Sequence, residues 1–289
     1  MIILENELLR IGIITKGAEL QHIFHKENNI EYLWQGDAAY WGKRSPVLFP
    51  VVGGLKDNIY YHKDQAYTLS RHGFARDMEF ELSDRDSSRA VFTLTSNLAT
   101  LQKYPFDFTF SILYEIKDDV LSVTYSVSNT GDDTMYFSVG GHPAFNVPLI
   151  PGTEYTDYYL KFNQKETTGR WLLSPEGLIE KKSQPLLHDS DRLTLHKDLF
   201  ASDAIVLKNI HADRVSLLSG KHAHGLHFHF PGFPYLGIWA AKGADFVCIE
   251  PWCGIADSVD ASGLLADKEG IESLPAAAQF RRSWSVQLF

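Results

Sequence analysis

Apolar and polar residues alternate with a period of two along much of this chain. The pattern is clear in Leu8-Leu-Arg-Ile-Gly-Ile-Ile-Thr15, Ala90-Val-Phe-Thr-Leu-Thr95, Phe106-Asp-Phe-Thr-Phe-Ser-Ile-Leu-Tyr114 and Val120-Leu-Ser-Val-Thr-Tyr-Ser-Val127. A period of two places successive side chains on opposite faces, as in half-buried antiparallel strands. Asn129-Thr-Gly-Asp-Asp133, Lys117-Asp-Asp119 and Ser83-Asp-Arg-Asp-Ser-Ser88 are polar enough to be the intervening turns. Helical signal is sparse, the best segment being Leu98-Ala-Thr-Leu-Gln-Lys103. Strands joined by short polar turns predict an all-β sandwich or barrel. No repeat, low-complexity segment or linker divides residues 1–289, so the expectation is a single domain.

Two stretches break the strand pattern beside an ionisable group. Ser138-Val-Gly-Gly-His-Pro-Ala-Phe-Asn-Val-Pro148 breaks at Gly and Pro around His142, and Cys248-Ile-Glu-Pro-Trp-Cys-Gly-Ile-Ala-Asp257 does so around Glu250. An imidazole and a carboxylate at two strand ends are the usual parts of a proton-transfer site. Glu250 follows Phe246-Val-Cys-Ile249, a run apolar enough to be a buried strand, and a buried carboxylate needs a partner or a function. Arg71-His-Gly-Phe-Ala-Arg76 adds His72 and two guanidinium groups. The plainer readings are a hydrogen-bonded turn histidine, a paired structural carboxylate and an exposed basic turn; the three together point to proton transfer on a polar small molecule.

Aromatic residues make up 13% of the chain, a high share that core filling explains for the most part, the alternative being that one or two form a platform for the apolar face of a sugar ring. Phe230-Pro-Gly-Phe-Pro-Tyr-Leu-Gly-Ile-Trp239 is the best candidate, a stiff loop running into a strand that ends at Trp239. His222, His224, His227 and His229 lie close together, and on a strand His227 and His229 share a face, as two ligands of a cupin-type metal site do. The favoured reading is an outward strand face alternating with Leu226, Phe228 and Phe230, with no metal and no loss of activity on dialysis against a chelator.

Net charge is −9 and no basic run exceeds two residues, which argues against a nucleic-acid partner. The two cysteines, Cys248 and Cys253, form no disulfide framework and no zinc pattern, and are read as free thiols of a cytoplasmic protein. Met-Ile-Ile-Leu-Glu-Asn-Glu has no basic signal-peptide region, and no apolar run is long enough to span a bilayer, so no membrane partner is expected.

With these residues in view, the chain resembles the aldose 1-epimerase (galactose mutarotase-like) superfamily, nearest the branch of LacX-like proteins and hexose-6-phosphate epimerases. The resemblance is carried by Gly17-Ala-Glu-Leu-Gln21, Glu31-Tyr-Leu-Trp34, Trp41, Pro46-Val-Leu-Phe-Pro50, Tyr67 to Arg76, Gly141-His-Pro-Ala-Phe-Asn146, Ser202-Asp-Ala-Ile-Val206 and Ile249-Glu-Pro-Trp252. It implies an antiparallel β-supersandwich of two large sheets with few short helices, a sugar cleft on a concave face, and no cofactor. The resemblance further implies His142 as general acid at the ring oxygen, Glu250 as base at the anomeric hydroxyl, and His72 as a hydrogen-bonding partner of the sugar. Asp203, Asn146 and Trp239 would contact substrate, and Arg76 and Arg44 occupy places where the phosphate branch carries basic residues. Pro50-Val-Val-Gly-Gly-Leu55 lacks the arginine that galactose mutarotases carry there, and Lys43-Arg-Ser-Pro46 stands where the phosphate branch has a Gly-rich run.

Mutarotation fits these residue types independently. The anomeric O–H must lose a proton while the ring oxygen gains one, so a base and an acid must flank C1. A carboxylate is ionised at neutral pH and an adjacent carboxylate favours imidazolium, so Glu250 and His142 are expected as the charged pair. The partner is then a small-molecule sugar or sugar phosphate, bound by a monomer or homodimer. A non-catalytic sugar-binding or regulatory protein would share the aromatic wall without needing both His142 and Glu250. Alternation along an extended Arg71–Arg76 segment would turn only one arginine inward, and family position favours Arg76.

Overall fold

A computed structural model describes residues Met1–Phe289. Its backbone is almost entirely antiparallel sheet, as the period-two pattern predicts. The strands Arg89–Thr95, Phe108–Lys117 and Val120–Asn129 form where alternation is strongest. Phe108, Phe110, Ile112, Tyr114 and Ile116 point inward, and the residues between them face outward or lie half-buried. Asp118, at a left-handed φ of 53°, makes the tight turn that pairs Lys117 with Val120. The polar segment at 83–88 divides evenly: its first half closes the strand Glu81–Arg85, and the turn is confined to Asp86–Ser88, where Asp86 accepts from the backbone N–H groups of Ser88 and Arg89. The short helix Leu98–Leu101 begins at Asn97, whose side chain caps the N–H groups of Ala99 and Thr100.

Fifteen strands join in one continuous hydrogen-bonded sheet, and the first four strands, from Ile2–Glu5 to Ile30–Glu31, make a separate smaller one. The all-β expectation holds, although the large sheet runs as one unbroken ladder rather than as the two large sheets that the resemblance implies. The core packs aromatic against aliphatic: Phe49 stacks on Phe110 with centroids 4.5 Å apart and meets Phe108 edge-on at 5.1 Å. No helix is long and apolar enough to cross a membrane.

Three neighbouring strands position the candidate site. Phe246–Cys253 is buried at every residue and lies between Val139–Gly141 and Tyr235–Trp239 in the sheet. Gly140 pairs with Trp252, and a Cβ there would approach the indole Cδ1 to 2.7 Å, so only glycine lets these strands lie so close. Gly237 pairs with Glu250 from the other side. The strands Tyr158–Leu173 and Ile179–Thr194, each 16 residues long, form a hairpin whose inner end reaches the same region.

Candidate active site

A cavity of about 580 Å³ opens on this part of the sheet, and His142, Glu250, His72, Arg76, Asp203 and Trp239 all line it. His142 follows Gly141 where its strand ends, and Glu250 sits mid-strand with its side chain on the cavity face. The strand Ala144–Asn146 pairs with Phe246–Cys253, and Pro143 O accepts from Ile249 N at 3.2 Å. That register brings His142 Nε2 to 3.3 Å from Glu250 Oε2. Glu250 is 1% exposed and His142 9%, so the pair sits on the cavity floor. Glu250 Oε2 and His142 Nδ1 have no hydrogen-bond partner within the protein, and neither has the indole Nε1 of Trp252.

His72 is fixed by the loop beneath it. Gly53 N donates to His72 Nδ1 at 3.1 Å, and His72 N donates back to Gly53 O at 2.9 Å. An Nδ1 that accepts leaves the neutral ring's proton on Nε2, so the ring keeps one N–H donor. Burial, and then the nearby His142, Arg71 and Arg76, hold His72 well below the ordinary imidazole range, so it is a neutral donor.

Aromatic groups wall the pair. Trp41 stacks on the His142 ring at 4.9 Å, and Trp239 meets both Trp41 and His142 edge-on at 5.5 and 5.7 Å. Trp252 and Phe200 complete the apolar surface. Trp239 thus stands where the stiff 230–239 segment predicts, joined by three rings that sequence patterning did not single out for the site.

The charged rim differs from expectation. Both Arg71 and Arg76 line the cavity, because the segment between them is not extended. His72 and Gly73 both adopt left-handed φ values of 70°, and Ala75–Asp77 is a turn of 3-10 helix, so strand alternation does not apply. Arg76 Nη2 donates to Arg71 O at 2.8 Å, and Arg71 lies 3.8 Å from the Asp203 carboxylate. Asp203 itself stands ahead of the strand Ile205–Lys208 at a φ of 69°, its Oδ1 accepting from Ala204 N at 2.7 Å. Lys242, which sequence reasoning missed, adds a third cation from the turn after Trp239.

Arg44 and Asn146 are corrections, since neither lines the cavity. Arg44 Nη1 donates to Gln21 O at 2.6 Å and Gln35 Oε1 at 2.8 Å, tying down the 35–44 loop. Asn146 Nδ2 donates to the carbonyls of Glu31 and Leu33 at 2.8 and 3.1 Å, joining its strand to the smaller sheet. Lys43 is likewise turned away, 3.4 Å from Asp77. The histidines beyond residue 220 are engaged singly: His222 Nε2 lies 2.8 Å from the Tyr158 hydroxyl and His227 Nδ1 2.7 Å from Ser216 Oγ.

Protonation is the second correction. Burial raises Glu250 well above the usual carboxylate range, with Arg71 opposing and Asp203 reinforcing. Burial also drives His142 down to about 3, helped by the Arg76 and Arg71 charges. Both shifts favour the neutral carboxyl and neutral imidazole over the expected carboxylate and imidazolium. The pair holds one proton, and desolvation favours the neutral arrangement with that proton on Glu250.

A family model described as aldose 1-epimerase matches residues 1–264. The chain belongs to the aldose 1-epimerase family. Protein LacX of Lactococcus lactis subsp. lactis is 32% identical over 99% of this chain and 98% of its own length. A galactose mutarotase related enzyme from Lactobacillus acidophilus superposes with a TM-score of 0.95 at 34% identity, covering 100% of this chain and 97% of that one. A galactose mutarotase-like protein from Lactobacillus casei gives 0.92 at 33%, covering both chains completely. Membership supports an isomerase-type enzyme that acts on a sugar.

Proposed function

We propose that the protein interconverts the α and β anomers of an aldohexose or hexose 6-phosphate by acid/base ring opening and closure at His142 and Glu250. The observation that carries this reading is the 3.3 Å contact between His142 Nε2 and Glu250 Oε2 on the floor of an aromatic-walled cavity. Two groups sharing one proton can take a proton from the anomeric hydroxyl and deliver one to the ring oxygen without changing their joint charge. Glu250 serves as base and His142 as acid. Moving the resting proton from Glu250 to His142 creates that state, and sugar hydroxyls donating to the carboxylate favour it. The C1–O5 bond then breaks as the C1 carbonyl forms, C1 rotates, and closure on the opposite face reverses both transfers. The Nε2–H of His72 binds a sugar oxygen, and Trp239 with Trp41 covers the apolar face of the ring.

The rim supports a phosphorylated substrate. Three cations line the cavity, Arg71, Arg76 and Lys242; Arg71 lies 3.8 Å from Asp203 and Arg76 Nε 3.7 Å from Asp77, which leaves Lys242 without a carboxylate at ion-pair distance. Guanidinium groups bind phosphate through paired charge-assisted bonds. Exchange spectroscopy over a panel of hexoses and hexose 6-phosphates tests the function directly; failure to speed anomer exchange of any of them would leave a non-catalytic sugar-binding protein. Arg71→Ala and Arg76→Ala should each raise KM for the phosphorylated sugar much more than for its neutral counterpart, with kcat little changed, because a remote contact is uniform along the reaction. Equal losses for both sugars would remove the phosphate from the reading.

A further inference from the structure

The strand that carries Glu250 also presents a thiol to the same place. Cys248 and Glu250 are two residues apart on a strand and so project to one face. Ala144 pairs with Cys248, which brings the chain just after His142 alongside. One donor atom each from His142, Cys248 and Glu250 lie within 4.8 Å of one another. The centre of a triangle with sides of that length is at most about 2.8 Å from each corner, and Zn²⁺ binds sulfur at about 2.3 Å and nitrogen or oxygen at about 2.0–2.2 Å, so small side-chain shifts close the gap. All three residues are buried, and Glu250 Oε2 is left without a hydrogen-bond partner.

We infer that His142, Cys248 and Glu250 form a binding site for a borderline-soft divalent cation of the Zn²⁺ class, and that its occupation switches the proton-transfer pair off. The donor set is one neutral imidazole, one thiolate and one carboxylate, so a bound dication is neutralised without a further counter-charge in a buried setting. A thiolate selects Zn²⁺ or Co²⁺ over Mg²⁺ or Ca²⁺, whose ligands are oxygens. The cavity side leaves a fourth position for water or a sugar hydroxyl. Binding replaces the Cys248 S–H and Glu250 O–H bonds by bonds to the metal, and two protons leave to solvent for each ion bound. Occupying the lone pairs of His142 and Glu250 leaves no acid and no base for the sugar. The inhibition rests on the proposed anomerase function; the binding does not.

Titration of the full chain with Zn²⁺ and Co²⁺ tests both. One equivalent of Co²⁺ should give a thiolate-to-cobalt charge-transfer band in the near ultraviolet, and Zn²⁺ should displace it. Loss of an outer partner of a metal ligand commonly costs 10–100-fold in affinity, so Cys248→Ala, which removes a ligand itself, should weaken Zn²⁺ binding on the order of tenfold or more and abolish the band. Inhibition of anomer exchange by Zn²⁺ should weaken by the same factor and be reversed by a chelator. The wild-type band keeps the test valid if Cys248→Ala folds poorly, and Cys248→Ser supplies a near-isosteric second variant. Absence of the band, or Zn²⁺ affinity unchanged in a folded Cys248→Ala and so owed to surface groups such as His222–His229, would overturn the site. A protein with the band but no turnover on any sugar would keep the metal site and sink the anomerase reading; turnover unmoved by stoichiometric metal that gives the band would keep the site and the anomerase reading and sink the switch.

Discussion

Glu250→Gln is expected to lower the rate of anomer interconversion by roughly 10²–10⁴-fold, the usual cost of losing a general base. The amide keeps the size of the side chain, so the cavity and its aromatic wall should persist, and sugar binding should survive in equilibrium measurements. Retention of near-wild-type exchange rates in a folded Glu250→Gln would exclude Glu250 from the chemistry. The same variant reports on protonation. Because burial raises Glu250 in the folded protein, the folded state holds its proton more tightly than the unfolded chain does. The associated stability is complete below the ordinary carboxylate range and is lost as pH rises through the raised value. Wild type should therefore lose Tm relative to Glu250→Gln as pH climbs from acid to alkaline. His142 works in the opposite direction, since its folded value falls from 6.5 to about 3. The unfolded chain takes up that proton first as pH drops through this interval, so removing His142 should protect the protein on the acid side. A Glu250→Gln Tm that tracks wild type at every pH would mean the carboxylate is ionised at rest, as its solution chemistry alone predicts.

Gly73→Ala should damage both stability and turnover. Gly73 adopts a φ of 70°, and a Cβ there would run into the Phe49 carbonyl and the Pro50 ring. That carbonyl also accepts from the N–H groups of Phe74 and Ala75, so it has no freedom to move away. Backbone strain of about 1–3 kcal/mol and a steric cost of about 1–3 kcal/mol together predict a Tm lower on the order of 10 °C. Displacing the turn also displaces His72 and the two arginines, so kcat/KM should fall even far below the melting transition. Wild-type kinetics in a folded Gly73→Ala would show that the turn does not govern the site.

Much of this site was legible before any coordinates. The Gly-Gly break before His142 and the rigid approach to Trp239 lie where their patterns predict, whereas the strand carrying Glu250 runs on to Cys253 and leaves the carboxylate mid-strand rather than at a strand end. Other parts were hidden for identifiable reasons. The hairpin Tyr158–Leu173 with Ile179–Thr194 supplies Leu173 and Ile179 to the cavity, yet its polar composition and register shifts suppress any alternation. Lys242 is one charge in an ordinary turn. Arg44 occupies a suggestive place in the chain, but a guanidinium goes to whichever acceptors are nearest, and the carbonyl of Gln21 is within reach.

The order of apolar and polar residues was enough to establish the most regular strands, the all-β class and, with the motifs, the family, because alternation and turn chemistry are properties of neighbouring residues. It also nominated His142, Glu250 and His72. Three things depended on segments remote in the chain meeting in space: the 3.3 Å contact, the inward turn of both arginines and the resting place of the proton. The last of these reversed the expectation from solution chemistry. How strongly burial penalises a charge is set by everything packed around it, and only the folded sheet brings those groups together.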